Sequence, residues 1–171
     1  MKRPARCYSR IDRPAYTRKK YIKGGPDSKI RIFTLGNKSG EFEVEVALVA
    51  NQARQITMEA LEATRINVNR YLTRNLGREN YFLKIIPYPH AYIRENKMMT
   101  GAGADRVQDG MRKAFGKPIG RVARVKKDQP LIKVKVDKAN VEHAKEALRR
   151  GRYRFPTTCR IVILKGEELV K

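Results

Sequence analysis

Two histidines, His90 and His143, and two acids four apart, Asp105 and Asp109, are the first groups to test for chemistry in this chain of 171 residues. Neither histidine has another His or a Cys at ligand spacing, so no metal centre is expected. Asp105 and Asp109 lie in a Gly-rich basic segment with no nucleophile–base pair beside them, and their expected role is to offset neighbouring cations. Gly101-Ala102-Gly103-Ala104-Asp105-Arg106 opens like a dinucleotide-binding turn. Arg106 stands where the third glycine belongs, and the motif does not lead from a strand into a clear helix. Gly116-Lys117-Pro118 lacks the Ser or Thr that follows lysine in a P-loop. These residues predict no enzyme, no cofactor and no metal.

Positive charge is what remains. The chain has 39 Lys and Arg against 17 Asp and Glu, a net charge of +22. Self-repulsion of that size opposes a compact state unless a partner neutralises it. The excess is uneven: +10 over residues 1–40, zero over 41–91, +7 over 92–127 and +5 over 128–171. The neutral block reads as folded core and the basic blocks as contact surface for a polyanion. Residues 1–27 hold Arg3, Arg6, Arg10, Arg13, Arg18, Lys19, Lys20 and Lys23, with Tyr8, Tyr16 and Tyr21 between them and no helical or strand period. That segment is expected to be an extended arm running along phosphates. A second basic segment, 97–117, contains Lys97, Arg106, Arg112, Lys113 and Lys117 among glycines. A stretch of this length without an element of its own is usually functional or disordered. Arg94, Arg121 and Arg124 flank it, and Arg149, Arg150, Arg152 and Arg154 form a third cluster. Cations neutralise phosphates, while Arg and Tyr stack on unpaired bases. Structured RNA fits better than duplex DNA, because no basic recognition helix is visible.

Periodicity predicts the framework beneath these groups. Alternation predicts strands over 29–33 (ending at Gly36), 41–46, 81–86, 92–94, 122–126 and 132–136, and an apolar run predicts a strand buried on both faces over 160–165. Leu61, Thr64, Val68, Tyr71 and Leu72 predict a helix over 57–76, stopped by Gly77. Val141, Ala144 and Leu148 predict a second over 138–150, capped by Asp137, ended by Gly151, with Arg149 and Arg150 at the negative end of its dipole. Phe42, Val44 and Val46 are expected to face inward with Ile132, Val134 and Val136. Strands in succession without an intervening helix predict an α+β fold: a two-layer mixed or antiparallel sheet with two helices on one face. The expected organisation is an arm, 1–27, and one domain, 28–171, that carries the basic loop. The longest apolar runs are far short of the roughly 20 residues that span a bilayer, so no membrane partner is expected. Cys7 and Cys159, near opposite ends and outside any CxxC pair, predict free thiols in a reducing, intracellular compartment.

Several segments, in order, resemble one family. They are Arg3-Pro4-Ala5-Arg6-Cys7-Tyr8, Pro26-Asp27-Ser28-Lys29-Ile30-Arg31-Ile32-Phe33, Ala60-Leu61-Glu62-Ala63-Thr64-Arg65-Ile66, Gly103-Ala104-Asp105-Arg106 and Gly110-Met111-Arg112-Lys113-Ala114-Phe115-Gly116-Lys117-Pro118. The chain resembles the large-subunit ribosomal proteins known as L-sixteen in bacteria and L-ten-e in archaea and eukaryotes. It is similar to the archaeal branch, and because it stops at Lys171 nothing attributed to the eukaryotic C-terminal extension is expected to carry over. The resemblance implies binding to large-subunit rRNA in the cleft near the aminoacyl-tRNA site, beside the peptidyl transferase centre and beneath the central protuberance. Loop 97–117 would then point toward the tRNA, with neighbouring large-subunit proteins as further partners and the chemistry left to RNA. Two other classes remain open on the residues alone. A free-standing RNA-binding regulator would be ordered without the ribosome, and an RNA-modifying enzyme would need a cofactor loop or a catalytic Asp, Cys or His at a strand end.

Overall fold

The structure, a computed structural model, describes residues 5–22, 24–99, 101, 112 and 115–169. Its strands fall into two antiparallel sheets. The larger contains β1 (Thr34–Gly36), β2 (Val44–Ala50), β4 (Phe82–Ile85), β7 (Pro130–Val136) and β8 (Cys159–Lys165), in the order β1-β4-β7-β2-β8. The smaller contains β3 (Arg54–Thr57), β5 (Ala91–Glu95) and β6 (Lys117–Val125), in the order β3-β6-β5. With the helices α1 (Met58–Leu76) and α2 (Val141–Arg152), this is the α+β arrangement the pattern predicts.

Register explains the core. Leu35 pairs with Leu83, Leu83 with Val134, Val134 with Val46, and Val46 with Ile163, so one face of the larger sheet is an apolar row. Ile85, Ile132, Leu48 and Ile161 form the next row. Leu61, Val68 and Leu72 of α1, and Val141, Ala144 and Leu148 of α2, join the same core cluster. Thr64 is fully buried among them, and its hydroxyl donates to the Ala60 carbonyl at 2.8 Å, which satisfies it. The side chain of Thr57 accepts from the Ala60 amide at 3.3 Å to start α1, and Gly77 ends it at φ +78°.

Several expectations change. Residues 29–33 form no strand; the pairing begins at Thr34, although the Phe33 carbonyl already accepts from the Ile85 amide at 2.8 Å. Residues 41–43 precede β2, and Phe42 is only half-buried against Gly40 rather than in the core. Strand β8 is an edge strand, with its apolar run covered on one side only, and Leu164 is 47% exposed. Asp137 opens a 3-10 turn, Lys138–Asn140, without a side-chain cap, and α2 itself starts at Val141. Gly151 does not end α2. A Cβ there would meet Val68 Cγ2 at 2.8 Å and Thr64 Cγ2 at 3.1 Å, so this glycine is what lets the two helices approach.

Strand β6 begins five residues earlier than alternation predicts, because Lys117 and Pro118 already pair with Glu95 and Arg94 of β5. Strand β3 carries one buried residue, Ile56, and so has no apolar pattern to read.

Candidate nucleic-acid interface

The arm lies on the smaller sheet. Strand β5 is an edge, and its Tyr92 amide donates to the Tyr16 carbonyl at 2.9 Å. The Gln55 side-chain amide of β3 donates to the Arg10 carbonyl, and the Arg121 guanidinium of β6 donates to the Pro26 carbonyl at 3.0 Å. Among the described residues of the arm the regular elements are 3-10 turns at Ala5–Tyr8 and Lys19–Tyr21. Such backbone contacts are open to any residue type, so the sequence carries no mark of them.

Arg94 joins the arm to the loop. Its guanidinium lies 3.7 Å from the Phe115 ring centroid and 4.6 Å from that of Tyr16, and those two rings meet edge to face at 6.0 Å. Cation–π contacts of this kind strengthen when water is excluded. Phe115 and Gly116 form the return stem of loop 97–117. A Cβ on Gly116 would run into the Glu95 carbonyl and the Asn96 nitrogen, so the two stems close only over glycine. Between arm and sheet lies a cavity of about 210 Å³, lined on the arm side by Arg10, Arg13 and Tyr16, and on the sheet side by Gln55, Arg94 and Arg124.

The other cations differ in how far they are already engaged. Arg121 also faces Asp27 at 3.5 Å and stacks on Tyr92. Arg149 and Arg150 both pair with Glu146, at 2.7 and 2.9 Å, and these bonds, Arg150 first, pull the Glu146 carboxyl below its ordinary range. Arg152 lies over the Tyr153 ring, and Arg154 makes no ion pair among the described residues. Arg18 and Lys20 are exposed on the arm, and Lys97, Arg112 and Lys117 are exposed along the loop. Arg3, Lys23, Arg106 and Lys113 lie outside the described residues, as do the side chains of Arg6 and Lys19. Nothing among the described residues brings the 149–154 cluster into the arm–sheet cavity.

The structure adds cations that residue pattern alone does not single out. Lys84 pairs in register with Lys133, and Lys135 lies beside Phe82, all on the face of the larger sheet away from the helices. Lys165, opposite Glu45, extends that face, and Glu45 offsets Lys133 at 2.6 Å. Like charges directly opposite each other on a sheet are unfavourable without a counter-charge. Alternation in 132–136 is the available signal, since it puts Lys133 and Lys135 on the side opposite Ile132, Val134 and Val136.

Both cysteines are free. Desolvation pushes the Cys159 thiol up to about 11, against a smaller downward pull from Arg152, whereas Cys7 is exposed. About one Cys159 in a thousand is thiolate at pH 8 with that value. Iodoacetamide at pH 8 is therefore expected to modify the exposed Cys7 quickly and Cys159 far more slowly. Mass spectrometry of tryptic peptides checks this, and equal rates would contradict the burial of Cys159.

Among the described residues no group of three or more His, Cys, Asp and Glu could hold a metal, and no helix is long and apolar enough to cross a membrane. The family described as Ribosomal protein L16p/L10e matches residues 11–162. The large ribosomal subunit protein uL16 of Staphylothermus marinus is 54% identical over 160 residues, which are 94% of this chain and 92% of the relative. That of Methanococcus aeolicus is 52% identical over 169 residues, 99% of this chain and 98% of the relative. That of Archaeoglobus fulgidus is 50% identical over 170 residues, 99% and 97% of the two chains. Half of the residues are shared along almost the whole length, arm and loop included, and the chain therefore belongs to the L16p/L10e family of ribosomal proteins, in its archaeal type.

Proposed function

We propose that this chain is a structural constituent of the large ribosomal subunit in the cytoplasm. In this reading it binds large-subunit rRNA near the aminoacyl-tRNA site and the peptidyl transferase centre, contacts neighbouring large-subunit proteins, and supports subunit assembly and tRNA accommodation without catalysing a reaction. The observation that carries the reading is the near full-length identity to proteins named for that subunit. The arm–sheet surface supports it physically. Arg10, Arg13, Arg94 and Arg124 converge there without a carboxylate in the cavity lining, a distribution suited to phosphate. The arm, the 149–154 cluster and the lysine face of the larger sheet would anchor the domain, and loop 97–117 would reach toward tRNA.

Centrifugation tests the reading. The purified chain should co-sediment with large ribosomal subunits stripped of their own copy, through a high-salt cushion, at one copy per subunit. Failure to do so, with tight binding to an unrelated structured RNA, would favour a free-standing regulator.

Deletion of 100–110 separates anchor from effector. Glu95, Lys117 and the Gly116 stem lie outside the deletion, so the β5–β6 pairing is expected to survive. Occupancy on subunits should stay near that of the intact chain while elongation slows several-fold. Lost occupancy would make the loop an anchor, and normal elongation at full occupancy would remove its role in accommodation.

A further inference from the structure

We propose that the arm and the smaller sheet form a clasp for a single RNA backbone phosphate, with Arg10 and Arg13 on one side and Arg94 and Arg124 on the other, and that this phosphate is what holds the arm on the sheet. The proposal rests on the rRNA-binding reading and deepens it, by naming where one phosphate sits and which segment its presence fastens.

The first ground is charge placement. Some arginines already have acidic partners, Arg65 in Glu62, Arg149 and Arg150 in Glu146, and Arg160 in Asp128, and what sets the clasp apart is four arginines without such partners around one cavity. None of the four clasp arginines makes an ion pair among the described residues, and no carboxylate lines their cavity. Nη1 of Arg94 is buried and meets no hydrogen-bond acceptor, while its guanidinium lies near both the Phe115 and Tyr16 rings. Arginine's fixed fork of donors matches phosphate oxygens in a way that a lysine cluster does not.

The second ground is how weakly the arm is otherwise held. No described side chain between residues 7 and 22 is fully buried, and Tyr8, Ile11, Ala15, Tyr16 and Ile22 are only half-buried, so docking removes only part of their apolar surface from water. The attachments include hydrogen bonds from Tyr92, Gln55 and Arg121 and the contacts of Arg94 and Phe115 with Tyr16, set against the entropy of ordering the segment. A basic arm on a basic patch is also self-repelling, and a bound anion reverses the sign of that interaction. A diester in a polynucleotide fits better than a free ion. Arg18 and Lys20 continue the arm's charge beyond the cavity, where successive phosphates of one strand would meet them. Arg94 also carries the loop stem through Phe115, so filling the clasp steadies the base of loop 97–117 as well.

The Tyr92 amide reports arm docking directly, because its acceptor is the Tyr16 carbonyl of the arm. Hydrogen exchange at that amide, in the full chain at constant ionic strength, is compared in chloride, in inorganic phosphate and in a six-nucleotide single-stranded RNA. Phosphate is expected to slow exchange at least fivefold relative to chloride, and the RNA to do so at lower phosphate-equivalent concentration. Arg13→Gln, an exposed arm substitution that leaves the domain folded by circular dichroism, should remove the effect, as should Arg124→Gln from the sheet side. Arg149→Gln should leave it in place. Equal exchange in chloride and phosphate overturns the clasp, and so does an equal loss in Arg149→Gln, which would mean general screening. Protection by inorganic phosphate but not by RNA overturns the RNA assignment in favour of a free-phosphate site. Binding to large subunits is measured on the same preparations. Subunit binding without protection sinks the clasp alone, whereas protection without subunit binding keeps the anion clasp and sinks the ribosomal reading.

Discussion

Raising monovalent salt from 50 to 200 mM is expected to weaken binding of this chain to a large-subunit rRNA fragment by about 250- to 1,000-fold. The physical reason is counter-ion release. Each neutralised phosphate adds roughly 0.7–0.9 to the log–log slope, so six contacts give a slope on the order of −4 to −5. Among the described residues more than six cations make no ion pair, including Arg10, Arg13, Arg94, Arg124, Arg152 and Arg154. Substitutions should divide by state of engagement. Arg154→Gln is expected to reduce the slope by just under one phosphate's share, whereas Arg149→Gln should reduce it less, because Glu146 already offsets that charge. Fluorescence anisotropy across a salt series reads both. A flat dependence would mean that the basic blocks face something other than a polyanion.

Leu61→Ala is expected to destabilise the chain by about 2–4 kcal/mol, and Val134→Ala by a value toward the lower end of that range. Both side chains have no exposed surface. Leu61 lies on the stripe of α1 that faces the core, and Val134 sits between Leu83 and Val46 in the central row of the larger sheet. Truncation there removes buried methyl groups and leaves a cavity that the paired strands cannot collapse into. For a chain of this size the melting temperature should fall on the order of 10 °C. Ile66→Ala is the control: Ile66 is 45% exposed on the same helix, and its change should be within about 0.5 kcal/mol. Urea unfolding followed by circular dichroism measures all three. A Leu61→Ala effect as small as that of Ile66→Ala would break the two-layer assignment.

Helix α1 is legible because three signals agree: an apolar stripe at helical spacing, a capping threonine and a terminal glycine. Helix α2 is legible in its stripe but not at its ends. Gly151 is a stop signal by type, but here it is a contact residue, and the difference lies in Val68 and Thr64 of another helix. Strand β8 is legible as a strand, yet an apolar run does not say which faces will be covered. Its place at the sheet edge is fixed by its pairing with β2 alone. Strand β3 is illegible because Arg54-Gln55-Ile56-Thr57 offers a single buried side chain and draws its order from β6.

Fold class, core stripes, polyanion-seeking charge and, through five ordered motifs, the family can all be read from the residues in a row. These are properties of residue type and local period, and they survive without knowing what lies across the core. Beyond local helix pairs such as Arg149 and Arg150 with Glu146, which cations are already engaged is a matter of tertiary contact. Arg121 meets Asp27 from 94 residues away, Gln55 reaches the Arg10 carbonyl from 45 away, and Arg94 finds its two rings on separate segments. Coulomb attraction, hydrogen bonding and ring stacking act over a few ångströms of space. A cation's remaining freedom to bind a phosphate is therefore set by neighbours that its own stretch of sequence does not name.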